Sequence, residues 1–222
     1  MRLSEVFDPA VDTSPLEAEA LVKRRRAVVA ATLVAGAALL AGTLAAPSGS
    51  GLFYGFGLGV AVLWIAGGLG SGPIRSARRP GPVRLAILAP LVLGTALFGV
   101  FLAAKLMADR IPVLSSNVSS VLARADAGPR ALVLVVAALN AIGEEVFFRG
   151  ALHSALGKHH PAVWATAIYC VVTIATLNVA LVAAALVMGT VFSLERRATG
   201  GVLAPILTHL SWSALMILFL PR

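Results

Sequence analysis

The sequence predicts an all-α membrane protein of about seven transmembrane helices. Of its 222 residues, 59% are hydrophobic and 13% charged, and the mean hydropathy is +0.92. An ordinary soluble domain carries roughly twice that charged fraction. The apolar residues fall into runs of about twenty, the length that crosses ~30 Å at ~1.5 Å per residue. Lysine and arginine cluster at the ends of those runs, the pattern of topology signals and lipid-headgroup contacts. The net charge of +8 therefore points to a lipid bilayer and not to nucleic acid. Cys170 is the only cysteine, which excludes an intrachain disulfide and a cysteine-rich zinc framework; it reads as a small buried apolar residue.

Residues 1–26 read as a cytoplasmic tail. It holds five of the ten acids (Glu5, Asp8, Asp12, Glu17, Glu19), Pro9 and Pro15 oppose one long helix, and it ends in Lys23-Arg24-Arg25-Arg26. Residues 27–129 read as three transmembrane helices and an interfacial segment. The first span is 27–46; a cleaved signal peptide is the lesser alternative, opposed by the long acidic lead-in and the lack of an Ala-x-Ala site. After the turn at 47–51, a second span runs over 52–70, with Gly55-x-x-x-Gly59 and Gly68-x-x-x-Gly72 as small-residue spacings for close helix contact. A basic loop at 72–82, with Arg75, Arg78 and Arg79, leads to a third span at 83–104. From 105 to 130 the chain turns polar, and Leu114, Val118, Val121, Leu122 and Ala125 recur at helical spacing, as in an amphipathic helix lying at the interface.

Residues 130–222 supply the remaining four helices. The fourth span runs over 131–156. The apolar stretch 162–194 is too long for one straight span, and Asn178 divides it into about 162–175 and 179–194. The last span is 202–220. With the N-terminus inside, twelve Lys and Arg residues fall on the cytoplasmic side (Arg2, Lys23, Arg24, Arg25, Arg26, Arg75, Arg78, Arg79, Arg84, Lys158, Arg196, Arg197) and five on the other (Lys105, Arg110, Arg124, Arg130, Arg222). The positive-inside rule then predicts a multi-pass protein of the cell membrane with its N-terminus cytoplasmic and its C-terminus on the opposite side.

Chemistry concentrates in the fourth span, where Glu144, Glu145 and Arg149 interrupt an apolar run. Each charge at the centre of a spanning helix costs about 2.5–3.5 kcal/mol on insertion scales, so such residues need partners and mark a function. Glu145 and Arg149 stand at i,i+4, the spacing of an intrahelical ion pair. Glu144 points about 100° away and is left without an intrahelical cation. A buried lone carboxylate must take up a proton, find a cation or bind a metal, and near protonation balance it suits general acid/base work on water.

Depth identifies what could meet it. Counted from the cytoplasmic face, Glu144 lies ~15 Å deep, His209 ~12 Å, Tyr169 ~12 Å and Thr173 ~18 Å. Ser213 is one turn beyond His209 on the same face. These side chains could line one polar pocket open to the cytoplasm, with Tyr169, Thr173 and Ser213 as its candidate walls. His153 is ~12 Å along the helix from Glu145, too far to share a ligand shell, and His159 and His160 lie in a loop at headgroup level.

Glu144-Glu145-x-x-x-Arg149-Gly150, followed by Leu203-Ala204-Pro205-Ile206-Leu207-Thr208-His209, resembles the CPBP family, the type II CAAX prenyl endopeptidases and bacteriocin-processing proteins also called Abi proteins. The resemblance covers about residues 131–219 and implies that the last four spans form a CPBP-type core. It implies an intramembrane metalloprotease, a hydrolase acting on membrane-tethered or prenylated-type peptides or proteins. In it Glu144 activates water, Arg149 orients Glu145, and His209 binds a metal or stabilises the oxyanion. Glu144, Glu145, Arg149 and His209 are then the catalytic set, and Glu144 and His209 the ligands of a zinc ion. Two positions depart from the family pattern: Thr173 stands where a histidine is expected, four residues after Tyr169, and Ser213 replaces an amide or carboxylate four residues after His209. A zinc site commonly needs three protein ligands. The departures leave open a second reading, a catalytically inactive membrane scaffold or immunity-type protein that keeps the Glu145–Arg149 pair.

Overall fold

A computed structural model describes residues 19–75, 83–158 and 160–220, and every element among them is helical. In chain order these are α1 (Glu19–Ala45), α2 (Gly51–Ser71), α3 (Val83–Ala108), α4 (Pro112–Asp126), α5 (Arg130–Leu156), α6 (Pro161–Ile174), α7 (Val179–Thr199) and α8 (Leu203–Phe219). Five of them, α1, α2, α3, α5 and α7, are long and apolar enough to cross a membrane, so the chain is a multi-pass membrane protein. The apolar α6 and α8 are shorter, with 14 and 17 residues, or ~21 and ~26 Å. Residues 1–18 of the expected tail, 76–82 of the basic loop, His159 and the last two residues lie outside the described residues.

Helix ends follow local chemistry. Ser50 caps α2, its hydroxyl accepting from the Phe53 amide at 3.2 Å. Asn178 caps α7 in the same way through the Leu181 amide at 3.0 Å, which is why the long apolar stretch divides there. Gly200, at φ 74°, closes α7 with its amide on the Arg196 carbonyl. The amphipathic segment is helical as α4 and buries no residue fully. It is tied to the rest by Asn178, whose Nδ2 donates to the Asn117 carbonyl at 3.0 Å and to Ser120 Oγ at 3.1 Å.

The first helix begins earlier than the sequence predicts, at Glu19, and so takes in the whole basic cluster. Arg24 donates to the Gly70 carbonyl at the end of α2 (3.1 Å), Arg25 to the Pro73 carbonyl just beyond it (3.2 Å), and Arg26 to the Ala155 carbonyl at the end of α5 (3.3 Å). Carbonyls at a helix C-terminus have no partner within the helix and carry partial negative charge, so three consecutive arginines bind the ends of two neighbouring helices. Arg25 is almost fully buried. The cluster is thus part of the packing as well as a topology signal.

Close helix contact comes from Gly68 and Gly72, as expected, the latter with a β-carbon position 2.8 Å from Arg25 Nη2, and also from Gly36 and Gly67. A β-carbon at Gly36 would overlap the Trp64 indole, one at Gly67 would meet Thr32, and one at Gly68 would stand 2.7 Å from Val146 Cγ1. Gly55 has open space around it and Gly59 makes only ordinary contact, so that pair does not form a helix interface within the chain. Trp64 stacks on Phe147 and Phe148 of α5 at centroid distances of 4.7 and 5.1 Å, forming the centre of the core. A second contact joins α3 to α8, where a β-carbon at Gly94 would lie 2.7 Å from the Thr208 carbonyl.

Candidate active site

The glutamates sit where α5 changes its winding. Arg130–Glu144 is α-helical, Glu145–Leu152 is a π-helix, and His153–Leu156 returns to α. A π-turn closes i→i+5 hydrogen bonds, is rare, and concentrates at functional sites. Nothing in the apolar pattern signals it. Its side chains are tightly enclosed: Glu145, Phe147, Phe148, Arg149, Gly150, Ala151 and Leu152 are all buried.

Glu145 and Arg149 pair as their spacing predicts, with Nη1 at 3.1 Å from Oε1 and both side chains almost inaccessible. The same Oε1 lies 3.0 Å from His209 Nδ1 on α8. One carboxylate oxygen therefore joins α5 to α8. His209 is enclosed by rings, with Phe192 at 4.9 Å and Trp212 at 5.8 Å between centroids. Arg149 also has its guanidinium carbon 5.0 Å from the Tyr169 ring centroid and 5.1 Å from that of Phe192. Cation–π attraction on two sides helps to hold a charge in an apolar setting. From α7, Arg196 Nε donates to the Arg149 carbonyl at 3.0 Å and steadies the π-turn.

Glu144 turns to the other side, as expected from its ~100° offset. Its Oε2 accepts from the Tyr169 hydroxyl at 2.6 Å, and the residue as a whole is half-buried. Oε1 has no donor among the described residues. Tyr169, one of the expected pocket residues, is thus in direct contact with the unpaired carboxylate. Thr173, the second, gives its hydroxyl to the Tyr169 carbonyl at 2.8 Å. Ser213, the third, is half-buried one turn beyond His209 and enters none of the cluster's hydrogen bonds. His153 is buried at the far end of the π-turn, His160 is exposed, and Cys170 is half-buried with a free thiol.

His209 meets Glu145, so the two residues expected as zinc ligands, Glu144 and His209, hydrogen-bond to different partners. With Nδ1 committed, His209 offers one nitrogen, Nε2. A four-coordinate zinc with three protein ligands needs two further donors beside it, and among the described residues no three His, Cys, Asp or Glu side chains are grouped to hold a metal. As arranged, these residues do not fit a zinc ion.

A further pair escaped the sequence reading. Thr208 Oγ1 lies 2.7 Å from Glu195 Oε1 and 3.1 Å from the Pro90 carbonyl, so it links α8 to α7 and to α3 immediately before His209. In the sequence Glu195 follows the apolar stretch 162–194 and precedes Arg196 and Arg197; in the fold its Oε2 is sealed from solvent.

Comparison with known proteins bears on the same segment. No curated protein and no solved structure matches the chain significantly. A family model does match, that of the type II CAAX prenyl endopeptidase Rce1-like proteins, over residues 126–215. The matched stretch holds Glu144, Glu145, Arg149, Tyr169, Thr173, His209 and Ser213 and spans α5, α6, α7 and most of α8. Over residues 126–215, somewhat less than half of its length, the chain is similar to the type II CAAX prenyl endopeptidase Rce1-like family.

Proposed function

We propose that the protein is an intramembrane endopeptidase that hydrolyses peptide bonds of membrane-tethered or prenylated-type substrates, with water activated by Glu144. One observation carries this reading: Glu144 is a half-buried carboxylate inside a membrane helix, with one oxygen fixed by Tyr169 and the other without a donor among the described residues. A water held at Oε1 gives it a proton, and the hydroxide so formed adds to the scissile carbonyl carbon. The carbonyl π electrons move to oxygen. When the tetrahedral intermediate collapses, the C–N bond breaks and the leaving nitrogen takes the proton back from Glu144.

The Glu145–Arg149–His209 cluster supports that chemistry from behind. Glu145 fixes the imidazole through Nδ1, and a ring held in this way can donate from Nε2 to a developing oxyanion as an imidazolium, its charge balanced by the carboxylate. Arg149 compensates the charge of the two adjacent glutamates.

The proposed topology has seven spans, with the short α6 and α8 crossing beside the five longer helices, the N-terminus cytoplasmic and the C-terminus opposite. It rests on the excess of Lys and Arg on one side of the chain's loops.

The test is cleavage of a fluorogenic, prenylated peptide by detergent-purified protein. Glu144→Gln and Glu144→Ala are expected to abolish turnover in a protein that remains folded; cleavage undiminished in Glu144→Ala would rule the mechanism out.

A further inference from the structure

We infer that Tyr169 is a positioning residue for the reaction, acting through Glu144; this rests on the peptidase reading of the site. The Oη–Oε2 separation of 2.6 Å falls in the range of short O–H···O⁻ bonds, about 2.5–2.7 Å. A phenol has one proton to give, and here it is given to Glu144. The carboxylate is therefore fixed in rotation: Oε2 is committed, and Oε1 is the oxygen left to take a proton from water.

The rest of Tyr169 is built to hold that hydroxyl still. Its ring packs on Phe148 at a centroid distance of 4.7 Å, with the two planes 59° apart, and the Arg149 guanidinium covers it. From α7, Gly189 packs on the same helix face: a β-carbon there would press on Thr166 Cγ2 at 2.9 Å and be in ordinary contact with Tyr169 Cδ1 at 3.4 Å. Thr173 donates to the Tyr169 carbonyl one turn on. Phe148 and Arg149 belong to the π-turn that follows Glu144, so the ring and the carboxylate are held by the same wide turn. Arg149 thus reaches both glutamates, Glu145 by an ion pair and Glu144 through the ring that binds it. Among the described residues, α6 offers no other side-chain hydrogen bond to either glutamate.

The experiment is steady-state kinetics on the prenylated peptide for the wild type, Tyr169→Phe, Glu144→Asp and the double variant, with thermal unfolding of each. Tyr169→Phe keeps the ring and removes only the hydroxyl. A fall in kcat of about 10- to 100-fold is expected, the worth of one hydrogen bond to a charged group, with KM and the unfolding midpoint nearly unchanged. In Glu144→Asp the carboxylate is one methylene short of Tyr169, so adding Tyr169→Phe is expected to cost little more. The inference is overturned by full kcat in Tyr169→Phe, by a loss that follows the unfolding midpoint, or by an equal fold-loss in both backgrounds. Wild-type protein that cleaves nothing overturns the peptidase reading and this inference with it, an outcome distinct from an active wild type indifferent to the hydroxyl.

Discussion

Glu145 and His209 meet across α5 and α8 at 3.0 Å, on the same oxygen that receives Arg149, so one atom carries the link between the π-turn and the last helix. Breaking a buried pair from one side leaves an uncompensated charge. Arg149→Met is expected to destabilise the protein by about 3–5 kcal/mol. Replacing both partners together, as Glu145→Gln with Arg149→Met, is expected to cost less than the two single changes summed. Reversible denaturation in detergent micelles measures the difference; additive losses would show that the two charges do not depend on each other.

The junction in front of His209 makes a second prediction. Thr208 approaches the Pro90 carbonyl and the Glu195 carboxylate with one hydroxyl, and the carbonyl of Thr208 lies against Gly94. Thr208→Val keeps the shape and removes the hydrogen bonding, at an expected cost of about 1–3 kcal/mol. Since α8 carries His209, activity should fall further than the folded fraction does. Parallel measurement of the unfolding midpoint and of kcat decides this, and equal losses would confine Thr208 to packing.

The contact between α1 and α2 is tested by size. Gly36 faces the Trp64 indole with no room for a side chain, so Gly36→Val is expected to destabilise by at least about 1–3 kcal/mol, the usual range for overpacking. Shortening the neighbour in Gly36→Val with Trp64→Leu should recover part of that loss. Thermal unfolding of the three variants reads the coupling. The same changes at Gly55, which has nothing within 4 Å, should leave the midpoint where it is.

That contrast shows what the sequence could and could not reveal. Burial cost singles out Glu144, Glu145 and Arg149 because few residues carry charge into an apolar run, and i,i+4 spacing pairs the last two without any structure. Counting depth brings Tyr169 to the level of Glu144 and His209 to that of the glutamates, since rise per residue is fixed in a helix. It does not separate two adjacent glutamates, which differ by ~1.5 Å in depth, so His209 could not be assigned to Glu145 in advance. Asn178 is legible because its side chain caps a helix in a known way. Gly55-x-x-x-Gly59 misleads because glycine spacing marks a permissive surface and does not say which helix covers it. The π-turn is invisible for a similar reason: one extra residue in a buried turn leaves hydrophobic periodicity almost unchanged. Arg24, Arg25 and Arg26 carry two meanings, topology signal and cap for other helices' carbonyls, and only the first can be read from the chain.

Metal dependence offers the last prediction. His209 holds Glu145 through Nδ1, Glu144 holds Tyr169, and Thr173 spends its hydroxyl on a backbone carbonyl, so the groups around the glutamates are committed to one another. A zinc ion would need at least two more donors beside His209 Nε2. Detergent-purified protein is therefore expected to keep its activity after dialysis against a strong chelator, and added zinc should not raise the unfolding midpoint. Elemental analysis of the wild type beside Glu144→Ala and His209→Ala gives the check. Near-stoichiometric zinc lost in both variants would mean that the two residues close on a metal, and the cluster would then have to rearrange around it.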